Sequence, residues 1–84
     1  MGGLERTLER VRQGQSDANI RFEELCALLH AFGFSERTRG SHHIFTAIGV
    51  DELVNLQRDG DKAKAYQVRQ VRRLIVKYNF RLKA

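Results

Sequence analysis

Two adjacent histidines follow a short turn predicted at Arg39-Gly40-Ser41 and are the residues of this sequence best suited to acid–base chemistry. An imidazole has an unperturbed pKa of about 6.5, so it gains and loses a proton near neutral pH. Alternation along a strand sends His42 and His43 to opposite faces, so that one reaches a substrate while the other packs or is partly covered. Gly40 permits a backbone conformation and a close approach of phosphate that other residues hinder. Ser41 adds a hydroxyl that both donates and accepts.

Paired histidines also occur as plain surface residues or as adventitious metal ligands. A metal site needs three or four ligands at defined spacing, and the further candidates here are His30 and Cys26. Cys26 shares a helical stripe with Phe22 and Leu29, a pattern typical of a buried apolar residue rather than a nucleophile. The sequence also contains no Walker-type or Rossmann-type loop and no useful Ser-His-Asp spacing. We therefore predict no metal site and no cofactor.

A second group of polar residues places Lys62 and Lys64 at the start of the last predicted helix. Helix N-termini bind phosphate through free N–H groups and the helix dipole, and the two ammonium groups would add positive charge there. Along the same helix, basic residues recur every four positions on one face, namely Arg69, Arg73 and Lys77. A solvated basic surface is the alternative interpretation of both features.

The net charge of +5 is distributed unevenly along the 84 residues. Residues 1–57 carry six arginines against eight acidic residues, whereas residues 58–84 carry nine basic residues against two acidic ones. A basic C-terminal third is typical of a polyanion-binding protein.

Three features of the sequence bear on localisation. The single cysteine allows no internal disulfide, and no apolar run approaches the ~20 residues of a membrane span. Met1–Arg6 lacks the basic and then apolar pattern of a signal peptide. We therefore predict a cytoplasmic protein.

Hydrophobic periodicity predicts three helices and three strands. The helices are expected at Leu4–Val11, at Phe22–Phe32 with Gly33 as its terminator, and at Lys64–Tyr78. The strands are expected at Phe34–Thr38, His42–Ile48 and Glu52–Leu56, with Arg58–Asp61 closing the meander. Short links imply antiparallel pairing. The predicted class is α+β, a three-stranded antiparallel sheet with helices packed on one face, divided into an N-terminal helical extension (1–19) and a main domain (20–84).

In this order, the motifs resemble the HicA family of toxins from toxin–antitoxin systems over roughly Phe22 to Lys77. The resemblance is carried by Phe22–Leu25, Gly33-Phe34, Gly40–Phe45, Asn55–Gln57 and Lys62–Val71. It implies an α-β-β-β-α fold similar to a double-stranded-RNA-binding domain, endoribonuclease activity on mRNA (an mRNA interferase), and neutralisation by a HicB-type antitoxin. Two departures are Ala65, where many relatives have proline, and the extra helix at the N-terminus.

The resemblance maps the family's catalytic histidine to His42, with His43 as the second choice because some members place it one residue later. We expect His42 to act as a general base on a ribose 2′-hydroxyl, without a metal. The residues predicted to bind RNA are Arg39, Gly40, Ser41, Lys62, Lys64, Arg69 and Arg73. The expected partners are mRNA and the antitoxin, with no membrane and no small-molecule cofactor. There are two alternatives: a non-catalytic RNA-binding module, and a relic that binds the antitoxin without cutting RNA.

Overall fold

The computed structural model describes residues 2–82 of the chain. Met1, Lys83 and Ala84, which the predicted domain boundaries include, lie outside the described residues. The helices are α1 (Gly3–Gln13), α2 (Phe22–Ala31) and α3 (Ala65–Tyr78), with a 3₁₀ turn at Asp17–Asn19. The strands are β1 (Ser35–Arg39), β2 (His42–Thr46), β3 (Val54–Leu56), β4 (Arg58–Asp59) and β5 (Lys62–Ala63).

The main sheet has three antiparallel strands in the order β1-β2-β3, so the prediction of an α+β fold around such a sheet is confirmed. Strands β1 and β2 are joined by the two-residue turn Gly40-Ser41, in which Gly40 has a φ of 59°. A positive φ at the first turn position matches the right-handed twist of the two strands, and glycine adopts it without steric cost. The sequence therefore determines the register that places Arg39 directly opposite His42.

Several predicted boundaries differ from the structure by one or two residues, among them that of β1, which includes Arg39 although Arg39 was predicted to lie in the turn. Strand β2 ends at Thr46, and Ile48, which was expected to be part of it, is fully exposed in the following turn. Strand β3 begins at Val54 rather than Glu52, because the Glu52 carboxylate lies in the loop, where it accepts hydrogen bonds from Lys77 and Tyr78. The expected closing turn at 58–61 is instead part of a second hairpin, β4–β5, which pairs Arg58 with Ala63.

One hydrophobic core lies between the sheet and the helices. From the sheet it receives the completely buried side chains Phe45, Val54 and Leu56. From α2 and α3 it receives stripes of buried apolar residues at helical spacing, namely Phe22, Leu25, Leu28, Leu29, Val68, Val71, Leu74 and Ile75. Gly33 terminates helix α2 as predicted, since its φ of 100° allows the Phe34 N–H to donate to the Leu29 carbonyl at 3.0 Å. None of the helices in residues 2–82 packs on the opposite face of the sheet.

Helix α1 belongs to the same core as the rest of the chain, since Leu8 and Val11 are buried within it. Polar contacts reinforce this packing. The Arg72 guanidinium donates two hydrogen bonds of 2.9 Å to the Asp17 carboxylate and one of 3.0 Å to the Val11 carbonyl. The segment predicted as an N-terminal extension is therefore fastened to α3 by both apolar and ionic contacts. Gly14, at the end of α1, leaves room for this guanidinium, which would lie 3.0 Å from a Cβ at that position.

Candidate functional site

His42 lies at the start of β2, immediately after the Gly40-Ser41 turn, with its side chain exposed on the face of the sheet that carries no helix. Its Nδ1 is 3.1 Å from Oδ1 of Asn55 on the neighbouring strand β3. An amide oxygen is only an acceptor, so Nδ1 carries the proton and donates to it. In the neutral ring, Nε2 then holds a free lone pair directed away from Asn55. Asn55 thus orients His42 and selects the tautomer in which Nε2 acts as a base.

Gln57 connects the turn to the start of helix α3. Its side-chain amide donates to Oγ of Ser41 at 3.1 Å, and its Oε1 accepts a hydrogen bond from Nζ of Lys64 at 3.3 Å. Its backbone N–H donates to Oε1 of the buried Gln67 at 3.1 Å, which anchors the bridge to the core. The two motifs that the sequence singled out, one around Gly40–His42 and one around Lys64, therefore meet through a side chain that lies between them in the sequence.

His43 has a different environment from His42, because it faces the helices. Its side chain is 22% exposed, its Nδ1 lies 2.6 Å from Oε2 of Glu36, and its ring packs edge-on against Phe22 with centroids 4.8 Å apart. The structure thus places the adjacent histidines on opposite faces of the sheet. His43 is held by a carboxylate and a buried aromatic ring, a setting that supports the hairpin and restricts access to its imidazole.

Glu36 was not predicted as a functional residue, yet it lies between two histidines. Its Oε1 accepts a hydrogen bond from Nε2 of His30 at 2.7 Å, while Oε2 accepts one from His43. These two hydrogen bonds hold the pKa of the Glu36 carboxyl below its ordinary value of 4.5, with the larger effect coming from His43. Side chains alternate between the two faces of a strand, so the position of Glu36 two residues after the buried Phe34 would have predicted that it faces inward. A carboxylate in that environment requires hydrogen-bond donors.

Replacing Glu36 with glutamine is expected to destabilise the fold by about 1–3 kcal/mol at pH 7, because an amide cannot accept from both imidazoles. The folded-state pKa of Glu36 is lowered, so its contribution is complete above pH 4.5 and is lost as the pH falls through the lowered pKa. The difference between wild type and Glu36→Gln should therefore have its full value at pH 7 and decrease below pH 4.5. Urea unfolding followed by circular dichroism measures both. Equal stability of the two proteins at pH 7 would exclude this role.

Gly40 and Ser41 form the turn itself, and the basic residues predicted to bind RNA lie in three places. Arg39 is exposed beside His42, and Lys64 is the N-cap of α3 and contacts Gln57, so both belong to the region around the turn. Lys62 lies in β5 with its ammonium group 3.9 Å from the Asp61 carboxylate. The remaining two, Arg69 and Arg73, are exposed on the side of α3 that faces away from its buried stripe.

The arginine stripe of α3 is therefore not brought together with His42. Helix α3 turns Val68, Val71 and Leu74 towards the sheet, whereas His42 lies on the other side of that sheet. Arg37 was not among the predicted RNA-binding residues, yet it is exposed on the same face as His42. Counting two residues back from Arg39 along a strand would have found it.

Comparisons with protein families, with curated proteins and with solved structures each found no significant match to this chain. Among the helices that the structure describes, none is both long and apolar enough to span a bilayer. The assignment of a function therefore depends on the geometry of the site and on the motifs in the sequence.

Two other kinds of reactive site, a metal centre and a nucleophilic thiol, were considered for residues 2–82. Within residues 2–82, no three histidine, cysteine or acidic side chains converge as the ligands of a metal ion. Cys26 is half-buried, and burial, with a smaller effect from the Glu36 carboxylate, raises the pKa of its thiol to about 12. A thiol that remains protonated at neutral pH is a poor nucleophile, in agreement with its interpretation as a core residue.

Proposed function

We propose that this protein is an RNA-cleaving toxin of the HicA type, with His42 as its general base. The observation that carries the proposal is the His42–Asn55 pair at an exposed hairpin end, which leaves Nε2 as an accessible base. It is supported by the basic groups of Arg39 and Lys64 on either side of the turn, where a phosphate can be held.

In the proposed reaction, Nε2 of His42 removes the proton of a ribose 2′-hydroxyl, and the 2′-oxygen attacks the adjacent phosphorus. The bond from phosphorus to the 5′-oxygen of the next nucleotide breaks, and that oxygen takes up a proton from water or from the imidazolium. The products are a 2′,3′-cyclic phosphate and a free 5′-hydroxyl. The positive charges of Arg39 and Lys64 offset the charge that develops on the phosphate. The attacking group is the 2′-hydroxyl, so the reaction is specific for RNA.

The proposal extends to the fold family and to the partner. The order α2-β1-β2-β3-α3 is the order expected for a fold similar to a double-stranded-RNA-binding domain, with α1 and the β4–β5 hairpin as additions. We propose a HicB-type antitoxin as the partner in the bacterial cytoplasm. An acidic antitoxin surface would complement Arg39 and Lys64 and cover the His42 turn.

A cleavage assay on the purified chain tests this function. We expect a 5′-labelled single-stranded RNA to be cut in the presence of EDTA, leaving a cyclic phosphate at the new 3′ end. The same RNA with 2′-O-methyl riboses is the matched control and should remain intact, because it lacks the attacking hydroxyl. If the RNA is bound but remains uncut, the protein is a non-catalytic RNA-binding module or an inactive relic. If it is neither bound nor cut, the RNA function itself is wrong.

A further inference from the structure

The face of the sheet opposite the helices carries a regular pattern of side chains. In one row across the three strands, Arg37 lies opposite Ile44, and Ile44 lies opposite Asn55. In the next row towards the hairpin turn, Arg39 lies opposite His42. Directly opposite side chains have Cβ atoms about 5 Å apart, so the side chains of Arg39 and His42 leave the sheet next to each other. Strand β1 thus presents basic side chains on this face, Ile44 forms its apolar centre, and the candidate base His42 lies at the end next to the turn.

This face is positively charged and contains no acidic strand residue. The strand positions directed to it are Ser35, Arg37, Arg39, His42, Ile44, Thr46 and Asn55. Within the described part of the chain, neither Arg37 nor Arg39 makes an ion pair with a carboxylate. The neighbouring Glu36 is directed to the other face and is held by His30 and His43. Both guanidinium groups are therefore available to phosphates, with no local carboxylate to compete.

We propose that a single strand of RNA lies across this open face of the sheet, with consecutive phosphates on Arg37 and Arg39 and the ribose to be attacked beside His42. This inference rests on the proposed function and identifies the surface that holds its substrate. Two residues along a strand span about 7 Å, which is comparable with the separation of neighbouring phosphates on an extended strand. Half-buried Ile44 offers an apolar surface to the bases between the arginines and Asn55.

The geometry favours a single strand over a duplex, because bases must be unstacked to contact the centre of a flat sheet. It also separates the substrate surface from the arginine stripe of α3. Arg69 and Arg73 face away from the sheet, so a strand passing His42 along β1 and β2 does not reach them. The charge of α3 then serves general attraction of RNA rather than its positioning at the base.

The test compares two double variants of the full chain that each remove two exposed arginines, Arg37→Ser/Arg39→Ser and Arg69→Ser/Arg73→Ser. Binding is measured by the fluorescence anisotropy of a labelled 12-nucleotide single-stranded RNA with 2′-O-methyl riboses, over a series of KCl concentrations. Loss of two phosphate contacts should weaken binding by about 25-fold at 0.1 M salt and reduce the salt slope by about 1.4. The α3 variant should change affinity by about threefold or less. Circular dichroism confirms that both variants are folded.

The outcomes distinguish a failure of the open-face RNA path from a failure of the proposed RNA-cleaving function. If the two variants lose affinity equally, or the α3 variant loses more, the open-face path is wrong while RNA binding stands. Tighter binding of a duplex of the same sequence than of the single strand would also overturn the path. If the wild-type chain neither binds nor cuts RNA, the proposed function fails before the question of the surface arises.

Discussion

Replacing His42 with alanine is expected to lower the rate of RNA cleavage by about 10²–10⁴-fold, the usual contribution of a positioned general base. The fold should be unaffected, because the His42 side chain is exposed and its hydrogen bond to Asn55 lies at the protein surface. The measurement is the single-turnover cleavage rate of the 5′-labelled RNA, with circular dichroism as the check on folding. Expression in a bacterium without an antitoxin should give growth arrest with the wild type and normal growth with His42→Ala.

His43→Ala is the matched control, since it removes an identical side chain one residue away. It breaks the hydrogen bond to Glu36 and the contact with Phe22, so its main effect should be on stability. At a temperature where the variant is folded, its cleavage rate should remain well above that of His42→Ala. A fall in rate after His43→Ala with full activity of His42→Ala would reassign the base to the Glu36-held histidine.

Asn55→Leu removes the group that orients the His42 imidazole but leaves the imidazole itself in place. Without the Asn55 oxygen, the Nδ1–H tautomer loses its acceptor, and a smaller fraction of the rings presents Nε2 as the base. We expect a loss of rate smaller than that of His42→Ala. Asn55→Asp keeps an acceptor at the same position and should preserve more of the activity than Asn55→Leu.

Replacing Arg72 with methionine is expected to destabilise the fold by about 2–4 kcal/mol, the largest effect we predict for a polar side chain. The change retains most of the apolar stem and removes the guanidinium. It leaves the Asp17 carboxylate, whose side chain is 13% exposed, and the Val11 carbonyl without their donor. The melting temperature of this small domain should fall by about 10 °C or more.

Arg73→Met is the control for this prediction, because it makes the same substitution at the adjacent position. Arg73 is exposed on the outer side of α3, where a substitution changes stability by about 0.5 kcal/mol or less. The hydrogen bond from Arg72 also holds the pKa of Asp17 below its ordinary value of 3.8. The effect of Arg72→Met should therefore be complete above pH 3.8 and shrink as the pH falls through the lowered pKa. Similar melting temperatures for the two variants would show that the pair contributes little.

The periodicities of the sequence determined the helices, the order of the strands and the directions of the two histidines. A period of 3.6 residues identified the buried stripes of α2 and α3, and alternation placed His42 and His43 on opposite faces. Gly33 and Gly40 identified a helix end and a tight turn through the conformations that glycine alone adopts freely. These features are local, so they can be read from neighbouring residues without knowledge of the fold.

The tertiary structure alone decided which polar groups meet. Gln57 joins Ser41 to Lys64, Glu36 lies between His30 and His43, and Arg72 binds Asp17 across 55 residues of sequence. It likewise separated His42 from the arginines of α3, which belonged to the same predicted site, and placed Arg37 and Arg39 together on the open face. The reason is physical: burial of the apolar stripes decides which elements lie against each other, and polar side chains find their partners only where that packing brings them together. His42 could be identified from the local sequence around the Gly40-Ser41 turn. Asn55, Gln57 and Lys64 lie near this turn only because β3 and α3 pack beside it.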